Sequence, residues 1–258
     1  MNLIFDTHAH YDDDAFDEDR EQLLLSLGAK NVGKVVNIAA SVGSPERVLA
    51  MAEKYDFMYA AVGVHPGDAA LMNEEVFRQL QEQCAHEKCV AVGEIGLDYY
   101  WPEPEGEIQR VWFERQLELA REVHKPVVIH SRDAAKDTMD MMTGLRAGEI
   151  GGVIHCFSYT KETARQFLDM DFYFGIGGVV TFKNSKKLKE AVEYIPMEKI
   201  VLETDCPYLA PDPFRGKRNE SSYLSYVAET IAQLKGLPVE AVYERTWENA
   251  HRLYRLPL

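Results

Sequence analysis

The chain has 258 residues, of which 46% are hydrophobic and 27% charged, enough apolar material for a substantial core. Its net charge of −14 excludes a broad basic face that grips long duplex nucleic acid through counterion release. No run approaches 18 apolar residues, no basic and apolar leader opens the chain, and the four cysteines form no C-x-x-C pair. A cytoplasmic protein with reduced thiols and no membrane span is therefore expected.

In chain order, short Val- and Ile-rich runs predict strands at 3–6, 34–39, 58–64, 89–94, 126–130, 152–156, 172–177 and 200–204. Between them, apolar residues spaced by three and four predict helices, as over 44–55, 108–125 and 160–170. Ser44 before Pro45 reads as an N-cap followed by proline at the first helical position. Gly28 and Gly236 read as glycines that follow or close helices, and two last helices are expected near 219–236 and 238–254. The acidic run from Asp12 to Asp19 reads as a solvated loop and helix start. The proline-rich pieces WPEPEG (101–106) and PYLAPDPFRG (207–216) read as elaborated loops after strand ends.

Buried strands alternating with helices predict an α/β fold with a parallel sheet. Eight such units, at roughly 30 residues each, predict a single (β/α)8 TIM-type barrel domain over residues 1–258. The rival is an open doubly wound sheet, but no G-x-G-x-x-G follows the first strand.

In such barrels the chemistry sits where strands end and their loops begin. The first end reads DTHAH, with Asp6, His8 and His10 at alternate positions, which a strand turns to one face. The third reads GVHP with His65, and the fourth GEIGLDY with Glu94. The fifth reads IHSR with His130 and Arg132, the sixth IHCF with His155, and the eighth ETDCPY with Glu203 and Asp205. Five of the chain's eight histidines fall in these windows, where chance would place about one. His86, His124 and His251 fall on helical stretches, where a packing or surface role is the default.

Four histidines and two carboxylates exceed one tetrahedral zinc site and suit two adjacent divalent cations. His8, His10 and Asp205 are expected on the first cation, and His130 and His155 on the second, with Glu94 bridging. Two divalent cations per subunit are thus predicted. Imidazole-rich ligation favours zinc or manganese over magnesium without fixing the metal. Such a pair, about 3.5–4 Å apart, activates water for hydrolysis of a phosphate ester, an amide or a carboxylic ester. Asp205 is the expected general base, and Glu203 is expected to orient a ligand. By strand alternation Cys156 and Cys206 should point away from the metals into packing. No G-x-S-x-G elbow supports covalent catalysis.

Together FDTHAH, VGVHP, VGEIGLDYY, PVVIHSR, HCFS, ETDCPYLAP and RGKRNE resemble the TatD family of metal-dependent hydrolases, in order and over nearly the whole chain. The resemblance implies metal ligands at His8, His10, Glu94, His130, His155 and Asp205, and a role near substrate for His65 and Arg132. It also implies nuclease activity on DNA, in several members as 3′-to-5′ exonucleases. One departure is Tyr159, where the family usually has glycine after HCFS. Such a ring would narrow the pocket or stack on a base.

The leading expectation is a phosphodiesterase that trims nucleic-acid ends, with Arg132, Lys183, Arg215, Lys217 and Arg218 as candidate phosphate partners. Residues 183–218 carry a local charge of +2, which suits a nucleic-acid end inside an acidic protein. The alternative is a metallohydrolase of a non-phosphate bond, such as a small amide or an aminoacyl ester on tRNA. A barrel that binds without turnover would be expected to lack a ligand, and none is missing. No membrane and no obligatory protein partner are expected.

Overall fold

The computed structural model describes residues 2–258. Among these, the strands are β1 (Ile4–Ala9), β2 (Val32–Ile38), β3 (Met58–Val62), β4 (Cys89–Asp98), β5 (Val127–Arg132), β6 (Gly152–Ile154), β7 (Tyr173–Ile176) and β8 (Ile200–Leu202). The α-helices are α1 (Arg20–Ser26), α2 (Ser44–Lys54), α3 (Glu74–Cys84), α4 (Gly106–Glu122), α5 (Ala135–Gly144), α6 (Lys161–Asp169), α7 (Lys186–Tyr194), α8 (Leu224–Lys235) and α9 (Val239–Leu253). The strands follow one another in sheet order β1 to β8, and the chain has the expected parallel (β/α)8 barrel fold. No helix of the described residues is long and apolar enough to cross a membrane.

By its contacts the chain divides into two compact units. The first comprises Met1–Asn37, Cys156–Arg165 and Tyr173–Leu258. Here β1 pairs with β2, β7 pairs with β8, and a parallel bridge joins Ala9 to Cys206 just past β8. Helix α9 packs against β1 and β8 in this unit. Phe5 of β1 packs against Trp247, His251 and Tyr254, with ring centroids 5.8, 5.3 and 6.1 Å away. Asn249 donates to the carbonyls of Met197 and Ile200, so the chain entering β8 is held by a buried amide.

Asp6 is the polar keystone of this unit. It is fully buried, and its carboxylate accepts from the His8 and Thr204 amides and from the Thr204 and Ser221 hydroxyls. Burial raises its pKa to about 6 despite these four hydrogen bonds, which pull the other way. The first of the three alternating residues in DTHAH therefore fastens the end of β1 to the turn after β8.

The second unit comprises Ile38–His155 and Gln166–Phe172. Its strands β3 to β6 pair in parallel, β4 with β3 and β5, and β5 with β6. Two buried glutamines of α4 hold the chain at strand ends. Gln116 bonds the backbone of Val64, and Gln109 bonds both main-chain groups of Asp98. Gly96, at φ 145, lets β4 lie against β5, because a Cβ there would stand 1.9 Å from the His130 carbonyl oxygen.

Several predicted boundaries change. β4 runs to Asp98, four residues beyond its predicted end, because it keeps pairing with β5 as far as Arg132. β6 and β8 stop at Ile154 and Leu202, so His155, Glu203 and Asp205 stand just beyond their strands. Ser44 lies inside α2 and does not cap it: its hydroxyl accepts from the amides of Ala40 and Ser41, shaping the turn ahead of the helix. Gly236 closes α8 in the left-handed region as expected, at φ 63. Gly28 follows α1 as expected, just past its C-cap Leu27, and opens a short 3-10 turn whose left-handed residue is Asn31, also at φ 63.

Replacing Asp6 with alanine strands four buried donors at once. The Asp6→Ala protein is expected to lose on the order of 3 kcal/mol of stability, read as a lower urea midpoint at unchanged slope.

Candidate metal centre

In the first unit His8 and His10 leave β1 on one side, as the alternation predicted. Their Nε2 atoms are 3.0 Å apart, and Asp205 Oδ1 lies 3.8 Å from the first and 3.2 Å from the second. Main-chain bonds bring the three together. The Asp205 amide donates to the His8 carbonyl at 2.9 Å, and the His10 amide donates to the Cys206 carbonyl at 2.9 Å. Asp205 sits in the left-handed region at φ 58, uncommon for a residue other than glycine and often seen where function demands a particular aim.

In the second unit Glu94 Oε1 is 2.7 Å from His130 Nδ1 and 3.7 Å from His155 Nε2. Glu94 and His155 are buried, and His130 is partly covered. The other nitrogen of His130 meets Asp98 Oδ2 at 3.1 Å. Burial pushes the His130 pKa down, but the contacts to Asp98 and Glu94 outweigh it and leave it raised. Burial works to raise the Asp98 carboxyl, and the hydrogen bond and charge of His130 bring it below the ordinary value.

Both ligand groups suit a divalent cation. Each gathers imidazole nitrogens and a carboxylate oxygen within a few ångströms, in surroundings where bare lone pairs facing one another are unfavourable. The donor set fits the metal chemistry expected from the sequence.

Glu203 does not share a strand face with Asp205, because β8 has already ended. Its carboxylate is buried and accepts the Cys156 amide at 2.6 Å, bracing the turn that follows His155 in sequence. Gly175 makes the room: a Cβ there would meet Glu203 Oε2 at 1.8 Å. Cys156 turns left-handed at φ 45, so strand alternation no longer sets its direction. Cys206 is fully buried as expected, and burial pushes its thiol pKa far up.

His65 caps a 3-10 turn, its Nδ1 accepting the Gly67 amide at 3.0 Å, and its ring stands edge-on to His130 at 4.3 Å. Arg132 is exposed, and its guanidinium lies 3.7 Å over the ring of Tyr100. Tyr100 and its neighbour Trp101 are more than half exposed. Lys183, Arg215 and Lys217 are exposed, and Arg215 rests 4.2 Å over Phe182. Arg218 is forked onto Asp19 at 2.7 and 2.6 Å, so much of its charge is already met. The ring of Tyr159 stands edge-on to Phe157, 6.0 Å away.

A family model described as TatD related DNase matches residues 5–255. The chain belongs to the TatD family. The uncharacterized metal-dependent hydrolase YabD of Bacillus subtilis strain 168 is 46% identical over 254 residues, 98% of this chain and 100% of that one. The uncharacterized metal-dependent hydrolase YcfH of Escherichia coli K12 is 35% identical over 98% of this chain and 96% of its own. The crystal structure of YjjV, a TatD homolog from Escherichia coli K12, matches with a TM-score of 0.94 at 31% identity, covering 100% of both chains.

Sequence reasoning missed Asp98. The signal was present, since Asp98 follows Glu94 by an even four positions in GEIGLDY. With β4 expected to end at Glu94, alternation does not reach it, because the pattern carries no information past a strand's end. For the ligand groups themselves, Glu94→Gln is expected to lower divalent-cation content, because a neutral amide offers one oxygen where the carboxylate offers two charged ones. Elemental analysis of protein purified without chelators checks this, and wild-type metal content in the variant would remove Glu94 from the ligands.

Proposed function

We propose that this metal-dependent hydrolase of the TatD family is a phosphodiesterase that trims nucleic-acid ends, acting as one domain in the cytoplasm. The observation that carries hydrolysis is the pair of imidazole–carboxylate groups, His8/His10/Asp205 and Glu94/His130/His155. The family description, TatD related DNase, supports a nucleic-acid substrate. Four free cysteines are in keeping with a reducing compartment.

The residues suit divalent cations, one on His8, His10 and Asp205 and one on Glu94, His130 and His155, of the zinc, manganese or magnesium class. When bound, they would supply a water of lowered pKa and charge to offset that developing on phosphate. The chain's own residues do the rest. Asp205 Oδ1, 3.2 Å from His10 Nε2, holds a lone pair able to take the proton of the attacking water. Glu203 keeps the turn beside His155 in place through the Cys156 amide. His65, its ring edge-on to His130 at 4.3 Å, is proposed to meet the substrate beside that imidazole.

Arg132 is the proposed phosphate clamp. Its face packs on Tyr100, which leaves the in-plane N–H groups free to fork onto phosphate oxygens. Lys183, Arg215 and Lys217 are proposed as further cations for the strand. Arg218 ranks below them, since a phosphate there would have to displace Asp19. With a net charge of −14, binding rests on few contacts and not on a long basic track.

Asp205→Asn is expected to lower kcat far more than it raises KM on an end-labelled oligonucleotide, as loss of a base requires. Equal losses in both would leave Asp205 a metal ligand only. Arg132→Ala is expected to cost about 1.5–3 kcal/mol in kcat/KM toward a terminal phosphodiester, with metal content unchanged. Single-strand affinity should fall with salt at a slope near about −2, as two or three phosphate contacts imply. A steep slope, or an Arg132→Ala enzyme as fast as wild type, would favour the rival reading, hydrolysis of a small amide or an aminoacyl ester on tRNA.

A further inference from the structure

His130 poses a chemical problem that its surroundings answer. Both of its ring nitrogens face carboxylate oxygens, Nδ1 toward Glu94 at 2.7 Å and Nε2 toward Asp98 at 3.1 Å. An ionised carboxylate only accepts hydrogen bonds, and a neutral imidazole carries one proton. A protonated ring would donate to both, but a nitrogen that holds a cation has to give up its proton, so with metal bound one nitrogen donates and the other turns its lone pair to the cation.

The two sides differ. Glu94 Oε1 also lies 3.7 Å from His155 Nε2, so a second imidazole converges on the Glu94 side. On the Asp98 side the second imidazole is His65, whose Nδ1 already accepts the Gly67 amide, and both Asp98 oxygens already serve as acceptors. Oδ1 takes the Tyr100 amide at 2.9 Å, and Oδ2 faces His130. The main chain of Asp98 is pinned as well, its amide donating to Gln109 at 2.8 Å and its carbonyl accepting from Gln109 at 2.9 Å. Asp98 is buried and fixed before any ligand arrives.

We infer that Asp98 is the positioning residue that keeps the proton of His130 on Nε2 and so turns Nδ1 toward the cation held with Glu94 and His155. This rests on the metal reading of that group. A carboxylate behind a ligating imidazole fixes the tautomer and ring angle and makes the ligand more basic. Gln109 is the support behind the support, since it fixes the backbone from which Asp98 reaches His130.

A competing role exists, because Asp98 also lies with His65 and His130 in a group whose ligand atoms fall within 4.8 Å of one another. If Asp98 ligated a cation directly, losing it would remove one equivalent of metal outright. Positioning predicts weaker binding at full stoichiometry.

The test strips wild type, Asp98→Asn, Asp98→Ala and Asp98→Glu of metal and titrates each with Co2+ against a chromophoric chelator. Asparagine keeps the shape but supplies one acceptor where two are used, so Asp98→Asn is expected to fold. Its affinity and that of Asp98→Ala should fall roughly 10- to 100-fold at the weakened site, with wild-type stoichiometry at saturation. Asp98→Glu should recover part of the loss. In the Co2+-loaded protein, proton NMR should resolve an exchangeable imidazole N–H that His130→Ala abolishes and Asp98→Ala broadens by faster exchange with water. Unchanged affinity in Asp98→Asn would overturn the inference, and so would loss of a full equivalent at saturation. A wild-type protein that takes up no cation would overturn the metal reading itself, and this role with it.

Discussion

A buried carboxylate has to be met by donors or by cations, and much of this protein is arranged around that requirement. Isolated in an apolar interior, such a charge would cost several kcal/mol or would be neutralised by a proton. Asp6, Glu94, Asp98 and Glu203 are all buried, and they divide according to what meets them. Asp6 is surrounded by amides and hydroxyls, which makes it a fastener. Glu203 accepts a main-chain amide and occupies space that only a glycine opposite can leave. Glu94 and Asp98 face the imidazole of His130 in the candidate metal centre.

This division explains why polar residues so close in sequence do different work. Asp6 and His8 point the same way from β1, yet one carries the strand-end scaffold and the other carries ligand chemistry. The fastener positions the ligand, since the Thr204 hydroxyl and amide that bond Asp6 belong to the same turn that presents Asp205 to His8 and His10. Glu94 and Asp98 stand in the same relation on β4, with His130 between them. In both places a ligand is aimed by a neighbour whose hydrogen-bonding capacity is already used.

The acidic balance of the chain fits this economy of contacts. Several surface cations are engaged within the protein: Arg218 by Asp19, Arg115 by Glu74 and Lys30 by Glu220. Arg132 differs, because what it touches is a ring, and stacking leaves its hydrogen-bonding edge unused. Its place beside Asp98 in the β4–β5 register ties it to the same strand pair that carries Glu94 and His130. An exposed Tyr100–Trp101 pair next to it, its rings edge-on at 4.9 Å, offers apolar surface.

What the sequence determined by itself was whatever depends on periodicity and order. Eight apolar runs alternating with amphipathic stretches imposed the parallel barrel, and the even spacing of His8 and His10 put both imidazoles on one side of β1. Residue types at strand ends singled out His8, His10 and Asp205 for one cation and His130 and His155 for another, with Glu94 as the expected bridge. The tertiary structure decided everything that begins where regular alternation stops. β4 continued to Asp98 because β5 was there to pair with it, and β6 and β8 stopped early, handing His155, Glu203 and Asp205 to turns. In a turn the direction of a side chain follows from φ and from what its amide can bond, as the left-handed Cys156 and Asp205 show. Those partners lie up to some two hundred residues away, as Thr204 does from Asp6, and a local pattern carries no record of them.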